Sequence, residues 1–409
     1  MKKLIFILPF LVLNFGCSSS PNTVDIPTPT PTPIPVTSPS DLLTTSNVRT
    51  YMVDANATTE TVALFYNLKK LSKTKFAIGQ QAAFDSFYNN GSSAMSDIKK
   101  TTGNDPAILG SDFMFITDKN NPSNNWFVQQ EQKIIQDTKD AYAKGMINIF
   151  CWHLREPNKE DSFYATDMTD EQKATAFKSI LPGGVNHNWY KQKLDKVASV
   201  VSNLKTANGV LIPIIFRPFH EFDGSWFWWG ASFCSPDNYK EAFQFTVDYL
   251  KNTKGIHNIL YAFSPDNSYS TDANYLSRYP GDAYVDVLGM DNYGDLNNQG
   301  QSGADRANAK LKMVSDLAKT KVKIAAMTET GYQVTAANTA ITGWFSNYLY
   351  HTLTANNIEV SFVMFWNNSN NGYYVPTPTA TNAADFSTFA TKSKSVLINT
   401  LPSMYVLPN

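Results

Sequence analysis

From residue 41 onward the chain alternates short apolar runs with longer amphipathic stretches. Eight runs stand out: Phe76–Gly79, Ala107–Ser111, Met146–Trp152, Val210–Arg217, Ile259–Ser264, Val285–Met290, Val322–Thr328 and Val360–Trp366. They are near-continuous rather than strictly alternating, as expected of strands covered on both faces. Between them lie stretches of helical character, among them Trp189 to Thr206, Asn238 to Thr253 and Asp305 to Thr320. Strand then helix, eight times over, predicts an α/β fold, a (β/α)8 TIM barrel. Residues 41–409 fit one such barrel with insertions, and no second composition shift divides them.

A barrel of this kind carries its chemistry at the C-terminal strand ends. Those ends are occupied here by polar or aromatic residues. Asp112 stands at the second, Trp152-His153 at the third, His220-Glu221 at the fourth and Asp266 at the fifth. Asp291-Asn292-Tyr293 follow the sixth run, Glu329 the seventh, and Trp366 ends the eighth. Strands four and seven lie three apart around an eight-membered ring, so Glu221 and Glu329 face each other across the mouth. Two carboxyls about 5–5.5 Å apart suit a retaining glycosidase, and about 6.5–9.5 Å an inverting one. Phe219, Phe222 and Trp226 surround Glu221 in sequence, which predicts a raised pKa and a general acid. Glu329 sits between Thr328 and Thr330, whose hydroxyls would hold it ionised as a nucleophile, and Tyr293 is placed to hydrogen-bond it. The indoles that follow Glu221 suit the apolar face of a sugar.

Composition narrows the partners. The formal net charge is -1, with 43% hydrophobic and 13% aromatic residues. Nothing in this balance points to nucleic acid or to an anionic membrane surface. His220 and Glu221 are adjacent, so they cannot form a helical i, i+4 metal pair, and no Cys/His cluster has metal spacing. No metal and no cofactor are expected. Cys151 and Cys234 are either one disulfide or two buried thiols. The N-terminus reads as a targeting segment. Lys2-Lys3 precede the apolar stretch Leu4 to Phe15, too short to span as a mature helix. It ends at Gly16-Cys17-Ser18, which resembles a bacterial lipoprotein processing site, with Leu13 one step further out than usual. The expectation is a signal peptide over residues 1–16, a lipid on Cys17, and a Pro/Thr/Ser-rich linker over 17–40 in extended polyproline II form. The catalytic domain would span 41–409. A lipid on Cys17 implies attachment to a membrane outside the cytoplasm, and the chain is expected to be a monomer. Ser18-Ser19-Ser20 carries no acidic cluster, which favours the outer membrane facing the periplasm over the cell surface.

Glutamates after strands four and seven resemble those of clan A glycoside hydrolases, most of which carry Asn before the acid/base. This chain carries His220. Arg217-Pro218-x-His220-Glu221, followed by Gly224-x-Trp226-x-Trp228-Trp229-Gly230, is similar to glycoside hydrolase family 26, whose main activity is β-1,4-mannan hydrolysis. The resemblance covers roughly residues 45–405. It implies Glu221 as acid/base and Glu329 as nucleophile of a double displacement. His153 and His220 would line the subsite where the bond breaks, Trp226 and Trp366 would stack on sugars, and Tyr293 would orient Glu329. Trp228 and Trp229 would be scaffold. The substrate implied is β-mannan, galactomannan or glucomannan and their oligosaccharides, cut internally or released as mannobiose. Phe222 stands where the family usually has Met. Asn367 stands where some mannanases place Arg, which leaves the distal subsites open. For Asp112, Arg217, Asp266 and Asp291, ion pairs or loop caps and substrate contact stay equally open. Two alternatives remain: another β-glycan, such as mixed-linkage glucan or β-1,3-xylan, and a non-catalytic glycan-binding lipoprotein, which would lack one of the two carboxylates.

Overall fold

Eight parallel strands close into a ring. The computed structural model describes residues 39–85 and 95–408. The expected signal peptide, Cys17 and the linker as far as residue 38 lie outside these residues. The strands are β1 (Phe76–Gln81), β2 (Ile108–Asp112), β3 (Ile147–Cys151), β4 (Ile214–Arg217), β5 (Ile259–Phe263), β6 (Val287–Asn292), β7 (Ile324–Thr330) and β8 (Phe362–Phe365). Each pairs with the next, β8 pairs with β1, and β1 with β2, so no edge is left open. A short β9 (Ser395–Val396) adds to the foot of β1. The predicted (β/α)8 barrel is therefore the fold.

The pleat explains why the strands read as apolar runs. Ile147, Ile149, Ile215, Leu260, Ala262, Ile324 and Ala326 fill the barrel interior as one cluster. Their neighbours Phe150, Ile214, Phe216, Phe263, Leu288 and Met290 belong to a second cluster, between strands and helices. Both faces are dry, so successive residues are apolar.

The helices follow the predicted stretches with shifted ends. His187–Asn203 covers β3 to β4, Pro236–Asp248 covers β4 to β5, and Gly300–Lys321 covers β6 to β7. The second starts where Ser235 accepts from Asn238 N and Pro236 takes the first turn, a strong local start signal. It runs on as a wider π turn over Tyr249–Thr253. Strand boundaries are shifted from expectation by one to four residues, and the shifts of β4, β6 and β7 bear most on the site. β4 begins at Ile214 rather than Val210, because Pro213 has no N–H to give a ladder; Ile212 N instead turns back to Leu204 O. β6 and β7 extend to Asn292 and Thr330, so Asp291 and Glu329 lie inside strands rather than after them. Among the described residues no helix is long and apolar enough to cross a membrane.

Candidate active site

A bulge aims Glu329 into the barrel. Met290 pairs with Met327, but the next residue, Asp291, pairs with Glu329, which leaves Thr328 as an extra residue on β7. Simple alternation from the inner-face residue Ala326 would turn Thr328 inward and Glu329 outward. With the extra residue both face in. Thr328 Oγ1 donates to Asp291 Oδ1 at 2.6 Å. Gly289 makes the space, since a Cβ there would lie 2.5 Å from Thr328 Oγ1. Glu329 accepts from Arg217 Nη2 on one oxygen and from Tyr293 OH, at 3.0 Å, on the other. Arg217 Nη1 also donates to Asp291 Oδ1 at 2.7 Å. The expectation that Thr328 and Thr330 hold Glu329 is thus corrected: Thr330 Oγ1 donates to Asn292 O instead. A guanidinium and a phenol both donate, which suits an ionised carboxylate.

Glu221 is held differently. Phe219 and Glu221 have φ of 52° and 51°, the left-handed region that non-glycine residues seldom adopt. Strain of this kind persists only where surroundings over-determine it, and here they do. Glu221 N donates to Ser264 O at 2.9 Å. Trp229 Nε1 donates to His220 O at 2.6 Å, and Tyr239 OH to Phe219 O at 3.1 Å. Phe219 and Phe222 pack outward into the helix layer, Phe222 against Tyr239 and Phe263. They fix the backbone rather than surround the carboxyl, which corrects part of the expected environment. Trp228 and Trp229 are fully buried scaffold.

Burial pushes the Glu221 carboxyl well above the usual range, and the negative charges of Glu329, Asp291 and Asp266 push it further. Carboxylate oxygens of Glu221, Asp291 and Glu329 lie within 4.8 Å of one another. Arg217 already supplies the positive charge of this trio. Trp226 Nε1 donates to Glu221 Oε2 at 2.7 Å, which pulls the other way and favours the anion. Its ring lies over Gly224, where a Cβ would come within 2.3 Å of it. Removing that donor should therefore raise the Glu221 pKa. Trp226→Phe is expected to move the basic limb of the kcat/KM profile to higher pH. A limb unmoved or shifted down would contradict the assignment.

The residues singled out in sequence come together. His153, His220, Glu221, Trp226, Tyr293, Glu329 and Trp366 all line one open cleft of about 470 Å³. Cys17 lies outside the described residues. Trp366 edges the His153 ring at 5.7 Å. Cys151 and Cys234 are free and buried rather than bridged. Sequence reasoning missed Tyr164, Phe227 and Tyr374, which also line the cleft. Tyr164 comes from the long β3 connection and has no strand-end signal. Gly331 offered a clue to Tyr374: at φ 150° it leaves room for that ring, 2.5 Å from where a Cβ would stand.

Asp266 borders the same cleft, and its pKa is pushed up to about 7, by burial first and then by Asp223. Asp223 is spent as a loop cap, accepting from Asp266 N and Ser268 N. A carboxyl whose folded pKa is raised binds its proton more tightly when folded. Its stabilising effect holds below the unfolded value near 3.8 and is lost as pH rises towards 7. Asp266→Asn should be neutral at pH about 3.5 and stabilising at pH about 8, on the order of 2 kcal/mol after discounting for its partial exposure. Thermal melts at the two pH values check this; an equal effect at both would refute it.

Known proteins share this architecture. The chain is 35% identical over 360 residues to a mannan endo-1,4-beta-mannosidase of Bifidobacterium adolescentis, covering 84% of this chain and 35% of that protein. It is 29% identical over 212 residues to the Bacillus subtilis mannan endo-1,4-beta-mannosidase, covering 48% of this chain and 52% of that one. The chain thus spans about a third to a half of the length of these curated relatives. Among solved structures, GH26C from Muricauda sp. superposes with a TM-score of 0.86 at 55% identity, covering 90% of this chain and 99% of that chain. A modular endo-beta-1,4-mannanase from Cellulomonas fimi gives a TM-score of 0.78 at 31% identity, covering 87% and 79%. Residues 53–373 match the pattern of glycosyl hydrolase family 26, and the chain belongs to that family.

Proposed function

We propose that this chain is a retaining glycoside hydrolase that cleaves β-1,4-mannosidic bonds in mannan, galactomannan or glucomannan and their oligosaccharides. One observation carries the reading. Glu221 and Glu329 meet in one cleft with a pair of carboxylate oxygens within 4.8 Å, the close spacing of a retaining pair rather than the wider one of an inverting pair. Their surroundings push them into opposite roles. Glu221, its pKa raised, gives its proton to the glycosidic oxygen as that bond breaks. Glu329, fixed by Arg217 and Tyr293, attacks the anomeric carbon and forms a glycosyl ester. Glu221, now ionised, takes a proton from water, which displaces Glu329 and releases the sugar. Trp226 and Trp366 offer ring faces to the sugars in the cleft.

The substrate follows from the names of relatives: mannan endo-1,4-beta-mannosidase and endo-beta-1,4-mannanase. The test is reducing-sugar release from β-mannan beside lichenan and β-1,3-xylan. Faster release from either alternative glycan would move the assignment to that substrate. Early products read the mode of attack, a ladder for internal cuts and a single disaccharide for mannobiose release. The basic, apolar and Gly16-Cys17 sequence at the N-terminus supports a signal peptide and a lipid on Cys17 that tethers the enzyme outside the cytoplasm, and Ser18-Ser19-Ser20, without an acidic cluster, supports the outer membrane facing the periplasm. Protease shaving of intact cells tests that placement, and loss of the protein would argue for the cell surface.

A further inference from the structure

In the cleft wall a chain of three side chains runs from the end of β2 to the residue before the acid. Asp112 Oδ2 meets His153 Nδ1 at 2.6 Å. His153 Nε2 meets His220 Nε2 at 3.2 Å, with the rings nearly perpendicular. All three are buried. Asp112 is itself pinned: its Oδ1 accepts from Met114 N at 2.8 Å and from His153 N at 3.1 Å.

Hydrogen-bond logic fixes the protons. Burial opposes a charge on Asp112, yet three hydrogen bonds, from the His153 ring, Met114 N and His153 N, favour its ionised form. An ionised Asp112 only accepts, so His153 Nδ1 carries a proton. The remaining contact joins two Nε2 atoms, so one must donate and the other accept. If His153 donated, it would be a cation, and His220, accepting at Nε2, would need its proton on Nδ1. That atom is buried and has no partner, and an orphaned buried N–H is costly. If His220 donates, both rings are neutral and its Nδ1 is a bare lone pair. Burial also favours neutral His220. Cys151 completes a trio with Asp112 and His153 close enough to share a cation. Burial pushes its thiol well up, however, and a neutral thiol is a poor metal ligand.

We propose that Asp112 is a positioning residue that sets the direction of the chain Asp112–His153–His220 and so keeps both imidazoles neutral, each in one tautomer, beside Glu221. The direction matters for the acid. A cationic ring next to Glu221 would favour its anion and remove the proton it must deliver. A fixed direction also gives the cleft wall an ordered donor and acceptor. The functional consequence rests on Glu221 being the acid of the proposed function; the proton arrangement does not.

Asp112→Asn in the full chain is the test. The amide keeps the shape and still accepts from Met114 N and His153 N, but its NH2 now faces His153 Nδ1 and forces the other tautomer. Nitrogen-15 histidine NMR should show His153 as the Nδ1–H form and His220 as the Nε2–H form in the wild type, with His153 converted to Nε2–H in the variant. On β-mannan kcat should fall about 10- to 100-fold, the range for partners that orient a functional ring, with KM changed by less than about threefold. A wild-type His153 that is an imidazolium at neutral pH overturns the proposal, as does an Asp112→Asn variant with unchanged tautomers and kcat. A poorly folding variant leaves two readings. The wild-type spectrum alone still decides the tautomers. In a His153→Ala background, where the chain is already cut, adding Asp112→Asn should cost no further kcat, and full additivity would refute the coupling. A wild type inactive on every β-glycan would count against the proposed function, while the spectrum would still decide the role of Asp112.

Discussion

Alanine at Glu329 is expected to lower kcat on β-mannan by about 10,000-fold or more, the scale for losing a covalent nucleophile. Folding should survive. Arg217 keeps its bond to Asp291 Oδ1, and the loss of one of three crowded carboxylates relieves repulsion. Because Glu329 helps to push the Glu221 pKa up, its removal should also lower the pH at which Glu221 gives up its proton. The decisive readout is stereochemical. The truncated side chain leaves space beneath the anomeric carbon, where azide can stand in for the carboxylate. With an activated β-mannoside the product should be the α-mannosyl azide, since a single displacement inverts the centre. Activity within tenfold of wild type, or a β-azide, would remove Glu329 from the nucleophile's role.

How much of this was legible in the sequence depends on where each feature's cause lies. The barrel was legible because burial on both strand faces writes apolar runs directly into the chain. Glu221 was legible because its neighbours in sequence are also its supports: Trp229 bonds the His220 carbonyl and Trp226 the carboxyl. Glu329 was found for a strand-end position that is only approximately right. Its direction depends on the bulge at Thr328, and a bulge is a property of the pairing with β6 rather than of β7 alone. For the same reason the sequence leaves Arg217 open between ion pair and substrate contact. Its partners Asp291 and Glu329 are 74 and 112 residues away. Asp112 was equally undecided, and its link to His153 crosses from β2 to the end of β3. Local patterns carried the fold and the candidates; the links between candidates required the closed ring.

Removing Glu221 should separate the two chemical steps. On β-mannan, Glu221→Ala is expected to lower kcat about 1,000-fold, within the range for general acid–base catalysis. A dinitrophenyl β-mannobioside needs no proton to depart, so its first step should run near the wild-type rate. The second step still lacks a base for water. The variant should therefore release a burst of dinitrophenolate, equal to the enzyme present, and then turn over slowly while the ester on Glu329 accumulates. Azide needs no base, and it should speed the slow step and give the β-mannosyl azide, opposite in configuration to the product from Glu329→Ala. The basic limb of kcat/KM, which in the wild type reports loss of the Glu221 proton, should disappear. Two azides of the same configuration would mean that the carboxylates do not divide the work as their surroundings imply. A wild-type-like rate on mannan would mean that the buried, proton-retaining Glu221 is a structural group. Opposite azides together with the burst would tie each role to its physical cause: burial and neighbouring negative charge on one glutamate, a guanidinium and a phenol on the other.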